Sequence, residues 1–212
     1  MILVPRQGMY HPGAQEPVVE LAKLAAGAEF TVVACDVADL DSLESIMAIL
    51  TVKRPLRGVI HAAGAQDNGI ISTLTLYRCI INCAPRVNGA WYLHQLTRNM
   101  DIDLLVMFST ISGVVGMSEH GNYAVANAFL DALIAHSRHA QGLSATSITY
   151  GTWEGNGMAV EIIIGTNLTR FIQSGLDLLK PEGGLEISEQ AVHSGRPLTV
   201  VAALDARYSR SY

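Results

Sequence analysis

The sequence predicts a doubly wound parallel α/β sheet, and three observations lead to it. Short apolar runs recur along the chain, they are continuous rather than alternating, and longer segments of helical period separate them. Continuous runs mark strands covered on both faces, and regular alternation of strand and helix marks a parallel sheet. The runs are Ile2-Leu3-Val4, Phe30 to Cys35, Gly58 to His61, Leu104 to Phe108, Ala145 to Tyr150 and Leu198 to Ala202. Helices are expected at about Glu16 to Ala26, Asp41 to Leu50, Leu76 to Arg98 and Asn122 to His139. Asp39-Leu40-Asp41-Ser42 offers N-terminal capping chemistry, and Gly27 and Gly142 stand where helix-ending glycines belong. The less regular stretch around 155–180 is expected to form a helical lid over the strand ends.

The bulk properties fit one domain over 1–212. Hydrophobic residues make up 50% of the 212 and charged residues 16%, enough apolar material for a sizeable core. The net charge is −5 and no block of Lys or Arg occurs, which argues against nucleic acid as a partner. Cys35, Cys79 and Cys83 fit no disulfide framework and suggest a reducing compartment. Cys79 and Cys83 are at helical spacing with no ligand pair nearby, so packing is expected rather than metal. No signal-type segment opens the chain, and no apolar run approaches the ~18 residues that cross a bilayer. The expected setting is cytoplasmic, with no membrane partner.

In a doubly wound sheet, ligands bind in the crevice outside the carboxyl ends of the strands. Asp36, Ala62-Ala63-Gly64, Ser109-Thr110 and Gly151-Thr152 all fall at such ends. Tyr123 and Asn127 are four apart (127 − 123 = 4) and share one helix face. Taken alone, that pair reads first as a phenol and an amide satisfying each other in a core. Beside Thr110, the phenol, hydroxyl and amide can instead hold a carbonyl and protonate it. His136 and His139 near a helix end fit interaction with the helix C-terminus better than metal. His94 and Trp91 are expected to pack, and Trp153 to serve either lid packing or substrate contact.

Several segments resemble the ketoreductase domain of modular polyketide synthases, a branch of the short-chain dehydrogenase/reductase superfamily with a Rossmann-like fold. They are Val33 to Asp39, Gly58 to Gly64, Val87 to His94 and Gly121 to Leu133, with Gly151-Thr152-Trp153, Gly157-Met158, Gly175-Leu176 through Pro181-Glu182, and Leu204-Asp205. The resemblance runs from Ile2 to about Tyr208. It implies reduction of a β-ketoacyl thioester by NADPH, with an acyl carrier protein and other synthase domains as partners. It places Tyr123 as proton donor and Asn127 as the tetrad amide. Thr110 falls on a Ser that hydrogen-bonds the ketone, and Arg86, twenty-four residues earlier (110 − 86 = 24), on a Lys. Arg6 falls where the cofactor 2′-phosphate binds, and Asp36 and Val37 fall at the adenine. Ala62, Ala63 and Gly64 lie beside the cofactor, and Gly151 and Thr152 at its turn. Asp67, Trp153 and Met158 fall on the substrate side.

Three departures accompany the resemblance. The family's first strand, Gly-rich phosphate loop and following helix have no counterpart, and no G-x-G-x-x-G occurs. Such a loop donates backbone N–H groups to a pyrophosphate, each worth ~1.5–3 kcal/mol. Arg86 in place of Lys keeps the charge, but a guanidinium does not release its proton in proteins. Thr110 in place of Ser keeps the hydroxyl and adds a methyl that crowds the cleft. Of Gln66-Asp67-Asn68, only Asp67 matches the Leu-Asp-Asp of one ketoreductase class. Val115, eight before Tyr123 (123 − 115 = 8), stands where the opposite class carries Trp.

Two other functions compete with the reductase. One is a non-catalytic module derived from a ketoreductase, which Arg86 and the absent loop favour. The other is a free-standing short-chain dehydrogenase, which usually carries Lys where this chain has Asn127. The absent first strand also predicts a slot between Ile2-Leu3-Val4 and Gly58-Val59-Ile60. Either those two strands close up and pair directly, or they remain apart.

Overall fold

The computed structural model describes residues 1–10, 19–21, 23, 29–50, 54–65, 67–117, 119–155 and 175–205. β1 (Ile2–Leu3) lies parallel to β2 (Thr31–Val32), with Ile2 opposite Thr31. β3 (Gly58–His61), β4 (Leu104–Thr110), β5 (Ala145–Tyr150) and β7 (Leu198–Val201) form a second, wholly parallel sheet in that order. β6 (Leu176–Asp177) and β8 (Ala203–Leu204) make a small antiparallel pair. The described helices are α1 (Leu40–Ile49), α2 (Leu76–Thr97), α3 (Ser112–Val115), α4 (Gly121–Gln141) and α5 (Pro181–His193).

All six expected strands form, with β2 shorter than its apolar run and β4 longer, reaching Thr110. The expected helix at 16–26, with Gly27, falls largely outside the described residues. Within it, 19–21 and 23 are helical. Asp39 stands at the N-cap of α1, where its carboxylate accepts from the Ser42 hydroxyl at 2.6 Å rather than from a backbone N–H. Gly142 follows α4 with φ 67°, the left-handed geometry that ends a helix.

β6, β8, α3 and α5 were not expected. Leu176–Asp177, inside the expected helical lid, is a strand that pairs with Ala203–Leu204. Residues 156–174 of that lid, including Met158, lie outside the described residues. α5 opens on Pro181 and Glu182, good start signals that Gly183-Gly184 obscure in the sequence. Gly184 is small for a tertiary reason, since a Cβ there would sit 2.5 Å from the Trp153 ring.

The β4 side chains alternate between two cores. Leu105 and Met107 pack with Ala90, Leu130 and Ile134 beneath α2 and α4. Val106 packs with Ile148, Val201 and Ala191 beneath α5. That two-sided burial is why the runs are continuous rather than alternating.

β1 and β3 do not pair; they belong to separate sheets. Direct closure of the slot is therefore not what occurs. Val4 and Val59 pack against one cluster built on Cys35, Val37, Leu43 and Leu93, which joins the two sheets through side chains. Ile60, in the middle of β3, is 66% exposed along that edge.

His61 closes β3 and is 3% exposed, with Nε2 lacking a hydrogen-bond partner among the described residues. α2 approaches it at Gly89, where a Cβ would stand 3.2 Å from its Cε1. Burial pushes its pKa down from 6.5 to about 4; a hydrogen bond with the Pro85 backbone opposes this and the Arg86 charge adds to it. A depressed histidine contributes stability that is complete above pH 6.5 and lost as pH falls through about 4. The loss should reach about 3 kcal/mol at ~1.36 kcal/mol per pH unit. Urea unfolding at neutral pH and near pH 4 checks this. His61→Asn should flatten the pH dependence, and equal slopes in both proteins would remove His61 as its source.

Candidate active site

The site is assembled at the carboxyl end of β4. Thr110 is its last residue and its Oγ1 lies 3.0 Å from the Ser112 Oγ. The Ile111 N–H donates to the Tyr150 carbonyl at 2.8 Å, continuing the β4–β5 register past Thr110. The chain then turns through α3, where Gly113 brings it close to α4: a Cβ there would meet the Ala124 carbonyl oxygen at 3.4 Å. α4 carries Tyr123 in its first turn and Asn127 one turn on.

Arg86 reaches the site from α2. It is 3% exposed, and its Cζ sits 4.5 Å from the centroid of the Tyr123 ring. Its Nη1 donates to the Ala65 carbonyl at 2.7 Å and to the Asn82 carbonyl at 3.3 Å. Burial lowers the guanidinium pKa, and Tyr123 beside it works in the opposite direction. A cation desolvated against an aromatic face interacts more strongly than one in water. It also stands ready to stabilise negative charge on the phenol oxygen. Gly64 leaves space for it, since a Cβ there would lie 2.8 Å from the Arg86 Cζ.

Asn127 is buried, and its Nδ2 donates to the Tyr123 carbonyl at 2.8 Å. Its amide holds the helix turn that presents the phenol. Asp131, one further turn along, accepts from the Ser147 Oγ at 2.6 Å and the Thr149 Oγ1 at 3.4 Å. Burial pushes its carboxyl above the usual range, against those hydrogen bonds. It ties α4 to β5, a role sequence reasoning missed. The available signal was an acid in the apolar run Phe129-Leu130-Asp131-Ala132-Leu133, in step with Tyr123 and Asn127.

The other expected residues divide by what they can offer a ligand. Arg6 is exposed in the turn after β1, and Ala62 and Gly64 are exposed after β3. Asp36 is exposed, and its Oδ1 accepts from the Ala38 N–H at 2.9 Å. Val37 buries its side chain in the core, so it can present backbone only, and Ala63 is packed against the same cluster. Gly151 and Thr152 are half-buried, and the Thr152 carbonyl accepts from the Leu179 N–H at 2.7 Å. Trp153 stacks on Tyr150 at 5.0 Å and lies over Gly184, so packing accounts for its ring. The Asp67 carboxylate is taken up by Arg78.

The ends of β1, β2 and β3 meet through the packing of Val4, Val37 and Ala63. That leaves Arg6 and Asp36 at one side of the crevice and Ala62, Gly64, Thr110 and Tyr123 along it. Of these, Arg6, Asp36, Ala62 and Gly64 are exposed and could meet a bound nucleotide. Among the described residues no Gly-rich loop cradles its pyrophosphate. No group of His, Cys, Asp and Glu among them could hold a metal ion, and no helix among them is long and apolar enough to cross a membrane.

A parallel sheet with flanking helices, a hydroxyl at a strand end and a tyrosine on α4 matches the Rossmann-like fold of the short-chain dehydrogenase/reductase class. Comparison with known proteins gives the family: the KR domain model matches residues 1–155, and the chain belongs to the ketoreductase domains of polyketide synthases. It is 41% identical over 205 residues to mycoketide-CoA synthase of Mycobacterium tuberculosis, covering 97% of this chain and 5% of that protein. It is also 41% identical over 205 residues to polyketide synthase GfsB of Streptomyces halstedii, covering 97% of this chain and 4% of that protein. The chain thus spans a small part of these relatives' length. Among solved structures, A-type ketoreductases from a modular polyketide synthase superpose with a TM-score of 0.88 at 34% identity, covering 96% of this chain and 42% of that one. The first ketoreductase of the tylosin synthase superposes with a TM-score of 0.84 at 35% identity, covering 96% and 43%.

Proposed function

We propose that this domain reduces a β-ketoacyl thioester, carried by an acyl carrier protein among other synthase domains, to the β-hydroxyacyl thioester with NADPH. The observation that carries the reading is the buried Arg86 guanidinium over the ring of Tyr123, which α4 carries in its first turn. In this reading the Thr110 hydroxyl donates a hydrogen bond to the ketone oxygen. A nicotinamide held beside these residues would supply the hydride for the ketone carbon. Tyr123 donates its phenolic proton to the oxygen as the carbonyl π bond becomes a lone pair. The phenolate that remains faces the Arg86 charge until solvent reprotonates it. Asn127 keeps the phenol aimed by holding the Tyr123 carbonyl. Arg6, Asp36, the Val37 backbone, Ala62 to Gly64, Gly151 and Thr152 line the nucleotide side. In this reading Asp67 and Trp153 border the substrate side.

The second reading, a non-catalytic module, is supported by Arg86 standing where the family carries Lys. Turnover decides between them: oxidation of NADPH with a β-ketoacyl thioester, followed by absorbance. Cofactor choice is a separate expectation. An exposed guanidinium at Arg6 suits two-pronged pairing with a 2′-phosphate. NADPH should therefore bind more tightly than NADH, and Arg6→Ala should bring the two affinities together. Equal affinities in the parent protein, read by fluorescence titration, would remove Arg6 from this role.

A further inference from the structure

Tyr123 sits in the first turn of α4, where backbone N–H groups have no partner inside the helix. A catalytic side chain placed there needs an anchor from outside. The structure supplies one through a chain of hydrogen bonds that begins on α2. Arg78, Asn82 and Arg86 follow one another at intervals of four (82 − 78 = 4, 86 − 82 = 4) and share a helix face. All three grip the loop after β3. Arg86 holds the Ala65 carbonyl at 2.7 Å, and Asn82 reaches the Asn68 side chain at 3.3 Å. Arg78 donates to the Asp67 Oδ1 from Nε at 2.8 Å and from Nη2 at 2.6 Å, and to the Asn68 carbonyl at 2.6 Å.

The loop passes that constraint to α4. The Asp67 carbonyl accepts from the Asn122 Nδ2 at 2.8 Å, and the Asn122 Oδ1 accepts from the Tyr123 N–H at 3.0 Å. Asn122 is buried and takes up one of the first-turn N–H groups. Gly69 bridges to His120 just before the helix, and a Cβ at Gly69 would sit 2.9 Å from the Arg78 Nη1. The glycine therefore leaves room for the guanidinium to cross the loop. The Arg78 and Asp67 side chains are 29% and 32% exposed. A partly solvated ion pair of this kind contributes little to stability. Its geometric consequence is the larger one.

We infer that Arg78 is a positioning residue for the reaction, which through Asp67 and Asn122 fixes the first turn of α4 and so the placement of the Tyr123 phenol against Arg86. The Asp67 carboxylate then serves the loop, and its place beside the substrate is secondary. The inference rests on the reading of Tyr123 as proton donor, but one of its measurements does not need turnover. The Arg86 guanidinium stands over the Tyr123 ring, its Cζ 4.5 Å from the centroid, so the NMR signal of its N–H groups should be carried upfield by the ring current; Arg86→Lys assigns it in ¹⁵N-labelled protein.

In Arg78→Met that signal should move back toward an ordinary arginine position. kcat should fall by about tenfold or more while KM changes by less than about twofold, since small misplacements of catalytic groups cost up to ~10². Arg78→Lys should fall between the two, because an ammonium can still reach Asp67. Asp67→Asn should resemble Arg78→Met, and the double variant should be no worse than either single one. A folded Arg78→Met protein that keeps both the Arg86 signal and kcat would overturn the inference, as would full additivity in the double variant. If Arg78→Met fails to fold, Arg78→Lys and Asp67→Asn carry the same test. Undiminished turnover in Tyr123→Phe would defeat the proton-donor reading, and the Arg86 signal would still judge the network.

Discussion

Tyr123→Phe is expected to lower the reduction of a β-ketoacyl thioester by about 10²–10⁴-fold, the usual range for loss of a positioned general acid. The change removes one oxygen and leaves the ring beneath Arg86, so the Cζ-to-ring stacking at 4.5 Å should persist and the fold with it. Nucleotide affinity should stay close to that of the parent. Single-turnover kinetics with the thioester check the prediction, with melting as a control. A variant that turns over at the parental rate would mean that another group or water protonates the alkoxide, and the proposed chemistry would have to be rebuilt around it.

Arg86 should give the second large effect. Arg86→Met removes the charge facing the phenol and strips the Ala65 carbonyl of its 2.7 Å donor. A lost preorganised donor or charge at such a site costs about 10²–10³ in kcat. Leaving this part-buried carbonyl without its donor costs a further ~1 kcal/mol of stability. Arg86→Lys should act in the opposite direction on rate, because an ammonium keeps the charge and can exchange a proton, which a guanidinium does not. Comparing kcat and urea stability for both variants separates charge from proton exchange. An inactive Arg86→Lys protein alongside an active parent would show that the fork geometry of Arg86, with its contacts to Ala65 and Asn82, matters more than proton exchange.

Legibility differed between elements for physical reasons. The β4 and β5 strands were readable because burial on both faces writes a continuous apolar run into each; β3 and β7 carry apolar runs as well, although Ile60, Leu198 and Val200 are exposed. β6 and β8 were not, since a two-residue antiparallel pair leaves no periodicity. α5 was hidden because Gly183-Gly184 reads as a break, whereas Gly184 is required by the Trp153 ring lying over it. Thr110, Tyr123 and Asn127 were readable as a constellation at a strand end and on one helix face. Asp131 and Asn122 were passed over because an acid or amide in a helix has many bland explanations until its partners are known.

From the sequence alone come the parallel α/β class, the crevice at the strand ends, and the residues that could donate a proton or a hydrogen bond there. Periodicity and spacing are local properties, and those conclusions need nothing more. Only the tertiary structure decided that β1 and β3 remain in separate sheets, that Val37 turns its side chain into the core, and that Arg86 lies over the Tyr123 ring. It also decided that Arg78 and Asp67 are joined across eleven residues (78 − 67 = 11) in one network with Asn122. Charged residues on a helix look alike in sequence whether they face water or a loop, because what distinguishes them is the partner brought there by the fold.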